Sequence, residues 1–530
     1  METDWGSDEI LASLRRRGAG RLRPHGPFPL LLETFMTRLD PKRVLERYAR
    51  ARARRMTWEA HWQECYEFAL PHRDSAIRAG HGGEKKTERL FDGTAPDAVD
   101  QLAASLMAQL TPPWSSWFGF VPGPDADAGL RQLMAPDLER MTRVVQANFD
   151  RSNFVVEMHQ CYLDLVTAGT ACLMFEEAAP GEDTAFRFTA VPMAQVVLEE
   201  GPSGRLDTTF RRNRLPVAHV LERFPDAPGA DRLLEIGRQN RDAAVPVVEA
   251  VVPDGREYAY LAVAETETAG DGIIVLSEGR FATSPFINFR WSKAPGESYG
   301  RSPVMKALPD IKTANKVVEL VLKNASIAVT GIWQVDDDGV INPANIKLVP
   351  GTVIPKAVGS AGLTPLETPG RFDVSELVLD QVRSRIRKAM LVDQLGQVGG
   401  ARMTATEVLE RAAETARLLS ATYGRLQSEL LTPLVVRARM LLARRGEVPE
   451  LSLDHRVVAL EHRSPQARHQ AQRDVQNTMI WLEAVRALGA EAMAAVDQAA
   501  AARWLAHALG VPGELVRELP EEIVEVIDVR

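Results

Sequence analysis

The sequence predicts an α+β fold that is mainly α. Three observations predict it: long stretches with an apolar residue every three or four positions, a middle region where that period drops to two, and Pro/Gly breaks between the segments. At 530 residues the chain is too long for one core, because cores rarely grow beyond about 250 to 300 residues, so about two to four domains are expected. Its 45% hydrophobic and 25% charged residues are those of a folded globular protein with a sizeable core.

Residues 1–38 combine Arg15-Arg16-Arg17 with a Gly- and Pro-rich stretch and keep no period, which predicts a flexible extension. From Pro41 to Leu70 one helix is expected, with Val44, Leu45, Tyr48, Trp58, Trp62, Cys65 and Phe68 as its apolar stripe. Its Arg-rich half, Arg47 to Arg55, reads as a solvated helix face, with a DNA patch as the alternative. A second helix, Asp97 to Leu110, runs into Thr111-Pro112-Pro113, where consecutive prolines remove donors and clash with the preceding turn. Trp114, Trp117, Phe118 and Phe120 follow. Intrachain packing is the ordinary reading of such a cluster, and a ligand cage is the alternative. Between 186 and 291 the alternation of Phe186-Arg187-Phe188 and Tyr258-Ala259-Tyr260-Leu261, with a turn at Pro253-Asp254-Gly255, predicts a mostly β region.

Ser302 then caps a helix that has Pro303 in its first turn and is kinked or restarted at Pro309. Ile311, Ala314, Val318, Val321, Leu322 and Ala325 keep one of its faces apolar. A short β-rich module follows: Ile332 to Val335, a turn at Asp336-Asp337-Asp338-Gly339, and Ile346 to Ile354. The next helix opens at Asp373 with a capping box to Glu376, and Arg383, Arg385, Arg387 and Lys388 crowd its later half, where cations suit the helix dipole. Gly396-Gln397-Val398-Gly399-Gly400 breaks it. The longest helical pattern, Met403 to about Arg445, would reach about 60 Å and bend at Pro433. From Ser464-Pro465 onward the chain is helical again and Ala-rich, with an acidic end.

No catalytic, metal-binding or cofactor-binding constellation emerges. Cys65, Cys161 and Cys172 lack metal or redox spacing and read as buried reduced thiols. Gly80-His81-Gly82-Gly83-Glu84-Lys85-Lys86-Thr87 imitates a phosphate loop, but Lys85 stands where glycine is needed and no strand precedes it. His455, His462 and His469 recur every seven residues, yet Ser464-Pro465 interrupts any shared helix. Asp336-Asp337-Asp338-Gly339 lacks the alternating ligands of a calcium loop. A net charge of −8 argues against strong affinity for DNA phosphates. No apolar run is long enough to span a bilayer, and the start lacks the cationic lead of a signal peptide, so a cytoplasmic, membrane-free protein is expected.

Several stretches, taken in order, resemble the head-to-tail connector, or portal, family of short-tailed bacteriophages. They are Arg89-Leu90-Phe91-Asp92-Gly93-Thr94-Ala95, Leu110-Thr111-Pro112-Pro113 with Trp117-Phe118, Tyr299-Gly300-Arg301-Ser302-Pro303, Leu348-Val349-Pro350-Gly351, Met403-Thr404-Ala405-Thr406-Glu407-Val408, Gly424-Arg425-Leu426-Gln427-Ser428-Glu429-Leu430-Leu431 and Ser464-Pro465-Gln466-Ala467. The resemblance implies a phage portal fold with wing, stem, clip and crown around a central channel. It divides the chain into an N-terminal extension (1–38), wing (39–302), first stem helix (303–329), clip (330–372), second stem helix (373–395), tunnel loop (396–402), wing spine helix and return (403–460) and crown (461–530).

It further implies a non-enzymatic virion protein at the portal vertex, assembled in the host cytoplasm as a homo-dodecameric ring, the conduit for DNA packaging and ejection. The implied partners are the terminase large subunit, tail adaptor proteins, major capsid and scaffolding proteins, and double-stranded DNA passing without sequence specificity. Arg383, Arg387, Lys388, Gln397 and Arg402 are the DNA-channel candidates. Asp336, Asp337, Asp338 and Gly339 are the clip docking candidates, and Trp114, Trp117 and Phe118 the subunit-interface candidates. Two rival readings stay open: a phage-derived nuclease or ligase with a dispersed active site, and a cytoplasmic helical scaffold.

Overall fold

A computed structural model describes residues 39–73, 86–113, 115–266, 272–330, 333–335, 363–365, 372–392, 422–450, 457–463, 465–494 and 496–509. Helix α1 (Pro41–Ala69) begins where expected, because Asp40 accepts a hydrogen bond from the Lys42 N–H and Pro41 occupies the first turn. α2 (Thr94–Leu110) stops at the prolines. Strand β1 (Phe118–Pro122) follows, then α3 (Ala128–Arg151) and α4 (Phe154–Ala168). The sequence reading names neither of these last two helices. α4 is buried at every position from Cys161 to Ala168, so it carries no polar face to mark a helical period.

The β region splits into two sheets. β2 (Thr170–Glu177) is the centre of a three-stranded antiparallel sheet, between β3 (Phe186–Val191) and β9 (Phe286–Arg290). β4 (Val196–Glu199), β5 (Thr208–Pro216), β6 (Ala244–Asp254), β7 (Glu257–Glu265) and β8 (Ile273–Phe281) form an antiparallel meander in chain order. Two short helices, α5 (Val217–Arg223) and α6 (Ala230–Gln239), interrupt this otherwise β stretch and lie on one face of the meander, over Val247, Ala262 and Ile274. The first half of α1 covers the other face, with Val44, Tyr48 and Ala51 on Phe210, Val248 and Leu261. Burial on both faces explains why β6 is almost continuously apolar instead of alternating.

The second half of α1 enters the main core, where Trp62, Cys65 and Tyr66 meet α2, α4 and the three-stranded sheet. α1 thus ties the two halves together. The aromatic cluster completes this core: Trp117 and Phe118 contact Phe149 at ring-centroid distances of 5.6 and 6.1 Å. All three cysteines are buried free thiols, and burial pushes the Cys65 and Cys172 thiols up to about 12.

α7 (Pro303–Thr330) and α8 (Phe372–Ala389) pack on one another, and between them β10 (Trp333–Val335) pairs antiparallel with β11 (Leu363–Pro365). α8 ends earlier than the expected 395: after Ala389 the chain turns through Leu391 at φ 58, the only non-glycine residue with positive φ among those described. The described part of the longest helical pattern starts at 422. It contains a π-turn at Gln427–Leu431, from which α9 (Thr432–Arg444) continues. Thr432 N–H reaches back to Gln427 O, so the register opens just before Pro433, which has no N–H to give. Strand β12 (Val458–His462), also unread in the sequence, pairs with β1, and α10 (Pro465–Ala487), α11 (Ala490–Met493) and α12 (Gln498–Leu509) follow. His462 lies in that strand and position 469 in α10, so the heptad histidines share no helix face; His455 lies outside the described residues.

Candidate nucleic-acid interface

The α7–α8 hairpin is rooted in the core and leaves it. Along α7 the buried positions Val304, Ala307, Leu308, Ile311 and Ala314 give way to Leu320 and Leu322, which are 48% and 54% exposed. α8 runs the other way, from exposed Leu377 and Val378 to buried Val382, Ile386 and Met390. The same apolar periodicity that seats the base of each helix in the core is therefore presented to solvent further out.

Polar contacts fix the root. Ser302 Oγ donates to Thr167 O (2.9 Å) and accepts from Met305 N–H (2.9 Å), capping α7 while fastening it to α4. Gly300 and Gly169 lie in close contact, and a Cβ on Gly300 would sit 2.1 Å from Gly169 O. Asn315 Oδ1 accepts from the N–H groups of Phe91 and Asp92 (2.6 and 3.2 Å), and its Nδ2 donates to Arg89 O (2.8 Å). The Arg89–Ala95 stretch is thereby clipped to α7. Arg383 of α8 donates to Asp92 (2.9 Å), and Arg385 pairs with Asp310 of α7 (2.9 Å). Burial alone would raise the Asp92 carboxyl, but hydrogen bonds from Thr94 and Arg383 outweigh it and hold the carboxyl below its ordinary 3.8.

Of the sequence-predicted channel residues, Arg383 is therefore half-buried and engaged by Asp92, whereas Arg387 and Lys388 are exposed in the last turn of α8. Gln397 and Arg402 lie outside the described residues, as do Asp336, Asp337, Asp338, Gly339, Trp114 and most of the Gly80–Thr87 stretch. The subunit-interface assignment of Trp117 and Phe118 needs correction. They are 2% and 0% exposed, their area is consumed by the chain's own core, and no face remains for a neighbour.

The Arg-rich half of α1 also resolves into individual contacts. Arg47 and Arg54 pair with Glu199. Arg55 is buried, pairs with Glu59 and donates to the carbonyls of Met193 and Val196. Beside it opens a cleft of about 360 Å³ lined by Arg54, Trp58, His61, Glu297, Tyr299 and Arg301. Arg301 stacks over Trp58 at 5.3 Å and pairs with Glu297. Burial, then the Arg301 charge, lowers the His61 pKa.

The sequence reading missed the buried junction at Arg290, which is 0% exposed. Its guanidinium donates to Glu429 (2.6 Å), Ser298 O (3.0 Å) and Gly204 O (2.9 Å) and lies 3.4 Å from Glu200, while its backbone N–H also reaches Glu429 (3.0 Å). The π-turn carries Glu429 to this strand end, and only the Gly424–Leu431 stretch hinted at it. Among the described residues no group of three or more His, Cys, Asp or Glu is arranged to hold a metal, and no helix is long and apolar enough to cross a membrane.

Comparison with known proteins places this geometry. A probable portal protein of Bordetella phage BPP-1 is 26% identical over 418 residues, covering 75% of this chain and 73% of that one. The portal protein of Enterobacteria phage T3 is 24% identical over 418 residues (76% and 75%), and that of Salmonella phage epsilon15 is 25% identical over 447 residues (78% and 77%). A chain of the virion of a native gene transfer agent particle is 14% identical with a TM-score of 0.29, over 71% of this chain and 94% of that one, too distant a likeness to define the fold. The family described as bacteriophage head to tail connecting protein matches residues 41–516, which include the hairpin, both sheets and the helices after β12. The chain belongs to the family of bacteriophage head to tail connecting proteins.

Proposed function

We propose that this chain is the repeating subunit of a closed portal ring, a dodecamer at one vertex of the phage head, through whose hole double-stranded DNA is packaged and later ejected. The family match over residues 41–516 is the observation that carries this reading. In it the α7–α8 hairpin is the stem, the segment holding β10 and β11 the clip, the sheets with α1 to α6 the wing, and the helices after β12 the crown. The terminase motor and then tail adaptors would dock on the clip, where Asp336, Asp337, Asp338 and Gly339 are the candidates. Capsid and scaffolding proteins would surround the wing.

The work is mechanical and structural, with ATP turnover left to the motor. Twelve copies of a chain of net charge −8 sum to about −96, and an acidic ring repels phosphates so that DNA slides without being gripped. Arg387 and Lys388, with Gln397 and Arg402 beyond them, are the groups proposed to centre the duplex. Arg383 contributes less, because Asp92 already neutralises it. Native mass spectrometry of the purified chain tests the assembly: a dominant species of about twelve subunits supports it, and a monomer at every concentration refutes it.

A further inference from the structure

The hairpin has two outer edges of opposite charge at the same height. Asp310 and Arg385 mark the side on which α7 and α8 face each other. At 3.6 residues per turn, Lys312, Lys316, Glu319 and Lys323 lie about 120° to 180° around α7 from Asp310, on the edge facing away from α8. By the same count Glu376, Asp380, Arg383 and Arg387 lie about 140° to 180° around α8 from Arg385, on the edge facing away from α7. Near the root both edges are taken up within the chain, since Lys312 pairs with Glu64 and Arg383 with Asp92.

Further out the edges differ. On α7, Lys316 and Lys323 share one carboxylate, Glu319, at 3.0 and 2.6 Å, which leaves that edge positive. On α8 the exposed groups at this level are the carboxylates of Glu376 and Asp380. At 1.5 Å per residue, Lys316 and Asp380 stand about 9 and 7.5 Å beyond the Asp310–Arg385 pair, and Lys323 and Glu376 about 20 and 14 Å beyond it. Leu320 and Leu377, 48% and 63% exposed, stand at the same height but about 80° around from the facing pair, off both charged edges.

We propose that neighbouring copies of this chain meet along these edges, with Lys316 and Lys323 of one copy against Asp380 and Glu376 of the next. The proposal rests on the ring reading and adds which surfaces close it. Two different patches, each complementary to the other and not to itself, make a head-to-tail contact, the kind that closes cyclic rings. Exposed ion pairs add little affinity, so the charges act on the register and direction of the contact.

Reciprocal charge reversal tests it in the full-length chain. The variant K316E/K323E has two acidic edges, and E376K/D380K has two basic edges. Each alone should lose at least about tenfold of its ring fraction by mass photometry, while circular dichroism stays that of the wild type. An equimolar mixture should regain rings, because each variant's edges then meet the opposite charge on both sides. Rings that persist in both variants overturn the edge contact, as does a mixture of folded variants that stays monomeric. As an independent readout, Lys316→Cys combined with Asp380→Cys should give a ladder of oxidised oligomers on a denaturing gel, and its absence counts against the contact. A wild-type chain that forms no ring at all would instead refute the ring reading itself.

Discussion

At the scale of single residues, two buried carboxylate contacts tie segments far apart in the chain: Arg290 to Glu429, and Arg383 to Asp92. Arg290 is fully enclosed and its charge is answered mainly by Glu429, so Glu429→Gln leaves a buried cation short of its partner. A loss of about 3 kcal/mol is expected, since breaking a buried pair costs about 3 to 5 kcal/mol and Glu200 supplies partial compensation. Urea unfolding of the variant measures it, and a loss under about 1 kcal/mol would show the junction to be dispensable. Asp92 adds a pH dependence. Its folded pKa lies below the unfolded value, so its contribution is fully present above the ordinary carboxylate range and is lost as pH falls through the lower folded value. Asp92→Asn should therefore lower the thermal midpoint at neutral pH and flatten its decline below about pH 4. An unchanged acid slope would contradict that role. Neither residue was readable as a partner in the sequence: Arg290 and Glu429 stand 139 positions apart, and Arg383 and Asp92 stand 291 apart. Only the fold brings them together.

At the scale of elements, helices marked by caps, prolines and clear spacing were legible, whereas α3, α5 and α6 were passed over despite their polar faces. α1, α2 and α7 were legible because caps, prolines and three-to-four spacing agreed, and α8 by its spacing. α4 was hidden by burial from Cys161 onward, and β12 because its partner β1 lies more than 300 residues earlier, beyond the reach of any local pattern. An irregularity near Pro433 was expected as a bend; what stands just before it is a π-turn, which was not expected. The hairpin's root tests how rigidly elements must meet. Gly300 touches Gly169, which itself needs φ 78 to end α4. Gly300→Ala should destabilise by about 2 kcal/mol, in the range of overpacking penalties, because backbone on both sides has to move. A melting temperature equal to the wild type's would show that α4 and α7 can separate there without cost.

At the scale of the whole molecule, the two helices flanking a β segment were legible from periodicity, and Trp333–Val335 falls in the strand expected at Ile332 to Val335. Its partner Leu363–Pro365 was not read, and the strand expected at Ile346 to Ile354 lies outside the described residues. The residues that would touch DNA or a neighbour were less legible. The aromatic cluster drew attention as an interface, yet large apolar side chains are the first to be consumed by a core, as Trp117 and Phe118 are. The charges of the hairpin edges look ordinary in sequence and gain meaning only from their placement. The central claim is that this hairpin lines the hole of a closed ring. Single-particle electron microscopy of the purified chain tests it most directly: the claim predicts a ring whose innermost density is a circle of helical hairpins, with α8 ends near the narrowest point. A ring with the hairpins on its outer rim, or particles with no central hole, would contradict it.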